Sequence, residues 1–197
     1  MINNFCKNKT YIANSIDYNI IFKNRIGGNI PIYFENRLDF LTDYLFYAII
    51  EHPQINNKVI SIFIPKEYSF MLKENIYPNC SIKVFIHDYS AESGIDIYTN
   101  RNLTRKSIDN FIEIEEKNYQ GNLIKIGGSP ILIQNEDYYS TKLISDGYSF
   151  FMQIDEDFYT DDMLTGNYPF GYGCLYLYCK YNKEQINEII SGFWQYS

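Results

Sequence analysis

The sequence predicts an α+β fold, mostly antiparallel sheet, built from two degenerate repeats that share one core. Three observations carry this expectation. The stretch Lys125-Ile126-Gly127-Gly128-Ser129-Pro130 echoes Arg25-Ile26-Gly27-Gly28-Asn29-Ile30-Pro31. Each glycine pair is followed by two apolar runs and a Lys-Glu step: Asp43 to Glu51, Val59 to Ile64 and Lys66-Glu67 after the first, Tyr148 to Asp155, Cys174 to Cys179 and Lys183-Glu184 after the second. The runs are short, rich in Ile, Val, Phe and Tyr, and bounded by turn residues, which is the pattern of strands. The halves cover about 15–75 and 107–197, with a strand pair at about 80–98 inserted between them.

Taken in order, Tyr18 to Phe22 is expected to be a strand. Gly27-Gly28 then supplies a turn, and Pro31 fixes an extended exit into a strand from Ile30 to Phe34. Leu38 to Ile50 fits a helical spacing, but its partner Tyr148 to Asp155 is too short and too rich in strand formers for a helix, so Tyr44 to Glu51 is assigned as a strand. Val59 to Ile64 returns beside it. A helix from Pro65 to about Lys73 follows, with Pro in the first turn where no N–H is needed. Cys80 to His87 and Gly94 to Tyr98 form the extra strand pair, and Phe111 to Glu115 alternates as a strand. In the second half, Gly127, Gly128 and Pro130 repeat the turn. The strands Tyr148 to Asp155 and Cys174 to Tyr181 lie on either side of an acidic loop. The chain is expected to end in an amphipathic helix: Asn182 and Gln185 make a capping pair, and Ile186, Ile189, Ile190, Phe193 and Trp194 fall at i, i+3, i+4, i+7 and i+8.

A chain of 197 residues, 46% hydrophobic and 18% aromatic, can bury enough apolar surface to fold as one domain. Its net charge of −7 argues against nucleic acid, whose binding depends on clustered Lys and Arg, and favours a basic partner. No run approaches the roughly 20 apolar residues that span a bilayer, and no secretory signal opens the chain, so a cytoplasmic protein is expected. Cys6, Cys80, Cys174 and Cys179 are too few for a disulfide scaffold and are expected to be thiols, with Cys174 and Cys179 on opposite faces of one strand.

The chemistry-bearing motifs are sparse. His52 and His87 have no Cys, His or carboxylate at metal spacing, so neither a metal nor a cofactor is expected. Gly127-Gly128-Ser129-Pro130 lacks the second glycine of a nucleophile elbow, and neither glycine pair has a phosphate-loop lysine spacing. No catalytic residues are assigned, and a non-enzyme is expected. The one concentration of charge is Asp155, Glu156, Asp157, Asp161 and Asp162, with Phe158 and Tyr159 among them. It fits a solvated loop, a calcium loop lacking the usual glycine and glutamate, or a docking surface for a basic protein, in which carboxylates steer the encounter and aromatics anchor it. Tyr176 and Tyr178 share one strand face, which is expected to be partly exposed.

Ile126-Gly127-Gly128-Ser129-Pro130 with Gln134, then Met152-Gln153-Ile154-Asp155, then Phe170-Gly171-Tyr172-Gly173-Cys174-Leu175-Tyr176, resemble the successive signatures of the YwqG-like bacterial proteins. The resemblance covers mainly the C-terminal third. It implies an α+β protein without an established catalytic set and, since many members sit beside toxin genes, an immunity protein that binds and blocks a cognate toxin domain. The alternative is a small-ligand site or enzyme in a cleft between the repeats, where the two glycine turns would lie.

Overall fold

The computed structural model describes residues 2, 5–37 and 39–197. Leu38, where the ambiguous segment begins, lies outside the described residues, as do Met1, Asn3 and Asn4 of the N-terminal stretch. The short β-branched and aromatic runs form strands whose neighbours all pair antiparallel. In chain order they are β1 (Thr10–Ala13), β2 (Ser15–Asp17), β3 (Arg25–Ile26), β4 (Tyr44–Glu51), β5 (Lys58–Pro65), helix α1 (Tyr68–Lys73), β6 (Lys83–Asp88), β7 (Lys106–Ile108), β8 (Ile112–Ile114), β9 (Ile124–Ile126), helix α2 (Tyr138–Ser145), β10 (Ser149–Asp155), β11 (Cys174–Asn182) and β12 (Gln185–Gln195). No helix among the described residues is long and apolar enough to cross a membrane.

The strands make two six-stranded sheets, ordered β8-β1-β9-β10-β11-β12 and β2-β7-β3-β4-β5-β6. One rule generates both orders. The second strand of a half stands at the edge, the first strand of the other half comes next, and the third to sixth strands of the first half complete the sheet. The largest apolar cluster takes Ile26, Tyr47, Ile50, Ile60 and Ile62 from one sheet and Ile126, Phe151, Ile154, Leu175 and Trp194 from the other. The outer faces carry their own clusters. Phe34, Phe46, Val59, Phe63 and Tyr98 cover one sheet, and Tyr139, Leu143, Tyr176, Tyr178 and Phe193 cover the other. Coverage on both faces is why β4 and β5 are nearly continuous apolar runs instead of alternating ones.

Both halves bend their central hairpin at the same place. The β4–β5 register skips Tyr47, and the β10–β11 register skips Phe151. Each bulged residue sends a fully buried ring into the shared core, and its carbonyl accepts from Gly27 N or Gly127 N at 2.8 Å.

Several expected elements are corrected. Tyr18 to Phe22 is a turn: Asn19 accepts from Phe22 N through its carbonyl and from Ile21 N through its side chain, leaving Ile20 81% and Ile21 75% exposed. Ile30 to Phe34 is not a strand, because Pro31 opens a 3-10 turn over Ile32–Phe34. Gly94 to Tyr98 is irregular, so only β6 remains of the inserted pair, and β6 occupies the sheet-edge position that β12 holds in the other sheet. Pro65 ends β5, and α1 begins at Tyr68. The tyrosine-containing stretch between Gln134 and Tyr148, read from the sequence as a loop, contains α2.

The C-terminal helix is instead strand β12. Its pairing with β11 skips Asn187 and Gly192. Two extra residues shift the alternation twice, so Ile186, Ile189, Ser191 and Trp194 all face the shared core side. The resulting spacings of three, two and three imitate a helical stripe.

Candidate functional site

Strand β10 delivers the acidic segment to one end of the sandwich, where a 3-10 turn covers Glu156–Phe158. The segment is only partly a surface. Glu156 is 1% exposed, and its two carboxylate oxygens accept from Phe170 N at 2.8 Å and Gly173 N at 3.0 Å. Burial pushes its pKa up to about 8 against the opposing pull of those backbone donors. It therefore clamps the loop before β11 and offers nothing to a partner. Asp155 is half-buried, accepts from Asp157 N at 3.1 Å, and is raised by burial to about 6. Asp162 is spent on Lys106, whose ammonium holds its carboxyl below the usual range. Tyr159 is half-buried, its hydroxyl 2.7 Å from that of Tyr47. Phe158 packs over Gly121, where a Cβ would lie 2.0 Å from the ring. Asp157, Asp161 and Asp162 remain exposed, the last with its carboxylate on Lys106, as does the outer part of Phe158.

Beside this turn a cleft of about 600 Å³ opens between the halves. One wall is Leu45, Ile64, Tyr68 and Met71 from the first half, and the other is the Gly166–Tyr172 loop held by Glu156. Tyr168 and Tyr172 stack at 3.9 Å, and Tyr168 stacks in turn on Tyr159 at 5.9 Å. Gly171 has φ +64°, and a Cβ there would meet the Tyr68 hydroxyl at 2.9 Å, so glycine permits the two walls to approach. At the floor Asn100 accepts from Asn102 N at 3.1 Å, and Asn102 O accepts from Thr165 N at 2.9 Å, tying the halves together.

The glycine turns do not line this cleft. They close β3 and β9, with φ of +71° and +79° at Gly27 and Gly28 and +74° and +65° at Gly127 and Gly128. Each is held by the cation two residues before it. Arg25 donates to Gly27 O and Asn29 O, and Lys125 donates to Gly127 O at 2.8 Å and Ser129 O at 2.5 Å. A carboxylate takes the amide after each pair: Glu92 from Asn29 N at 2.6 Å, Glu116 from Ser129 N at 2.5 Å. Pro31 starts the 3-10 turn described above, whereas Pro130 stands half-buried in irregular chain. The four glycines thus form the two turns, and the prolines stand just beyond them.

The histidines are structural as well. His52 is fully buried, with Nδ1 accepting from Gln54 N and Ile55 N, and burial lowers its pKa to about 4. His87 Nδ1 donates to Asp88 O and its Nε2 accepts from Ser61 Oγ, both at 2.8 Å. The four cysteines are free, and Cys174 and Cys179 face different clusters. Among the described residues no group of three His, Cys, Asp or Glu could hold a metal ion. Tyr176 and Tyr178 share a face, but it is covered: they are 0% and 3% exposed beneath α2.

No family model, curated protein or solved structure matches the chain. A cleft between the halves was expected from the sequence, but its lining was not, since the glycine turns lie elsewhere. Its signals were the three glycines Gly166, Gly171 and Gly173 around paired tyrosines, and the Asn100 and Asn102 pair, which become meaningful only once the halves are seen to meet there.

Proposed function

We propose that this chain is an immunity-type binding protein that blocks a cognate toxin domain with a basic surface. It would make contact where the acidic turn meets the rim of the inter-half cleft. The observation that carries the reading is a set of exposed carboxylates and rings at this end: Asp157 and Asp161, whose charges act on Tyr168, part of Phe158, Tyr172 at 58% exposed and stacked on Tyr168, and Tyr68 at 45%. Tyrosines beside carboxylates supply rigid anchors and long-range steering for a cationic partner. The contact set is narrower than the sequence alone suggested, since Glu156 is buried, Asp162, though exposed, is ion-paired with Lys106, and the Tyr159 hydroxyl is bonded to that of Tyr47. The resemblance to the YwqG-like proteins supports the same role. We also propose that the two halves are copies of one ancestral unit that have exchanged their first strands, on the support of the common strand rule and the matching turns.

Reversing Asp157 and Asp161 to Lys should slow association with the toxin domain strongly at low salt and little at high salt, as stopped-flow kinetics would show. Unchanged kinetics would remove the rim from the interface. A second reading, a small ligand in the cleft, is favoured by its volume and by its lining from both halves. A ligand that protects the chain thermally, and loses that effect in Tyr172→Ala without any change in toxin binding, would support the second reading over the first.

A further inference from the structure

A second cavity, of about 400 Å³, opens at the first glycine turn, away from the cleft. Its floor is Arg25, only 5% exposed. The comparison between the two turns makes this arginine unusual. At the second turn Glu116 serves both the backbone amide of Ser129 and the cation, lying 3.5 Å from Lys125. At the first turn Glu92 takes the amide of Asn29 but gives its other oxygen to Arg105 at 2.8 Å. Arg25 is left with the carbonyls of Gly27 and Asn29 and the ring of Phe46, 4.5 Å from its guanidinium carbon. Burial lowers its pKa to about 10, yet it stays charged at neutral pH. The remaining charges nearby cancel in pairs, Arg105 with Glu92 and Lys23 with Glu51 at 3.3 Å. Arg25 thus makes no ion pair of its own and feels Glu92 only at longer range, through a carboxylate already paired with Arg105, whereas buried charges are normally paired directly.

The walls indicate what would pair it. Tyr18 lies under the Arg105 guanidinium at 3.7 Å, Tyr89 under the Lys23 ammonium at 5.1 Å, and Ile20, Phe22 and Ile49 complete an apolar lining. Ile20 and the adjoining Ile21 are the two most exposed large hydrophobic residues described. A guanidinium has five donors, of which Arg25 uses two on carbonyls, so donors remain for a ligand. We infer that this cavity binds a small oxyanion, a carboxylate or phosphate ester, carried on a planar apolar group that lies between the tyrosines. This site is independent of the proposed toxin contact.

Calorimetry of the full chain with benzoate, phenyl phosphate, inorganic phosphate and benzyl alcohol tests it. Saturable binding of benzoate or phenyl phosphate is expected, with inorganic phosphate and neutral benzyl alcohol each at least about tenfold weaker, since one lacks the apolar group and the other the charge. Glu92→Gln keeps an acceptor for Asn29 N while removing the competing negative charge, and should tighten binding about tenfold; Arg105→Met should weaken it by a similar factor. A purely structural Glu92 would not give tighter binding on neutralisation. Absence of saturation at millimolar benzoate and phenyl phosphate, equal affinity for benzyl alcohol, or affinity unmoved in both variants would each overturn the inference.

Discussion

Two residues placed alike in the two halves respond oppositely to protons. His52 and Glu156 each follow the last residue of a central strand, and both are buried. His52 is lowered from 6.5 to about 4, so the unfolded chain binds the extra proton between those values, and stability is lost as pH falls through that window. Glu156 is raised from 4.5 to about 8, so the folded chain keeps a proton the unfolded chain has released, and stability falls as pH rises from 4.5 towards 8. His52→Asn should flatten the acid side of a plot of Tm against pH, and Glu156→Gln the alkaline side between 6.5 and 8; a Glu156→Gln profile parallel to that of wild type there would contradict this account. The glycines separate in the same way. Gly127→Ala should cost about 3 kcal/mol in urea denaturation, combining a positive φ with a Cβ 2.3 Å from Lys9 O, whereas Gly147→Ala, with φ +83° and open space, should cost about 1 kcal/mol.

Strands β4, β10 and β11 were legible because their pattern and their meaning coincide: short β-branched or aromatic runs that end at turn residues and are covered on both sides. Strand β12 was not, because residue spacing reports side-chain facing only when the ladder is regular, and its two bulges converted a period of two into helix-like steps. The exposed turn at Tyr18 to Phe22 misled for another reason, since its strand-forming residues line a cavity instead of pairing. A direct consequence concerns Gly192. Deleting it should leave Phe193 opposite Tyr176 and Trp194 opposite Leu175 in a regular ladder, keep the Trp194 ring on the core side, and cost only about 1 kcal/mol by the denaturant midpoint, chiefly the bond that Gly192 O accepts from Tyr77 N. A cost of about 3–5 kcal/mol, the usual loss for a large buried ring, would mean that Trp194 had left the core and that the pairing with β11 does not set its facing.

Across the whole molecule, two sheets built by one rule enclose a shared core and meet at a tyrosine-lined cleft near the exposed carboxylates of Asp157, Asp161 and Asp162. The doubled glycine motif was visible in the sequence. The placement of β1 between β8 and β9, and of β7 between β2 and β3, was not, because those strands are only four and three residues long and carry no pattern that names a partner. The acidic segment was visible as charge, but the burial of Glu156 depended on the loop before β11 and the pairing of Asp162 on Lys106, contacts that no local pattern names. Partner binding is the claim on which the functional account rests. The most direct measurement is survival of cells that co-express this chain with the toxin domain encoded beside its gene, alongside gel filtration of the two proteins. The account predicts survival and a stable complex, both lost when Asp157, Asp161 and Tyr172 are replaced together by Lys, Lys and Ala. Death at the rate seen without the chain, with the two proteins eluting separately, would contradict it.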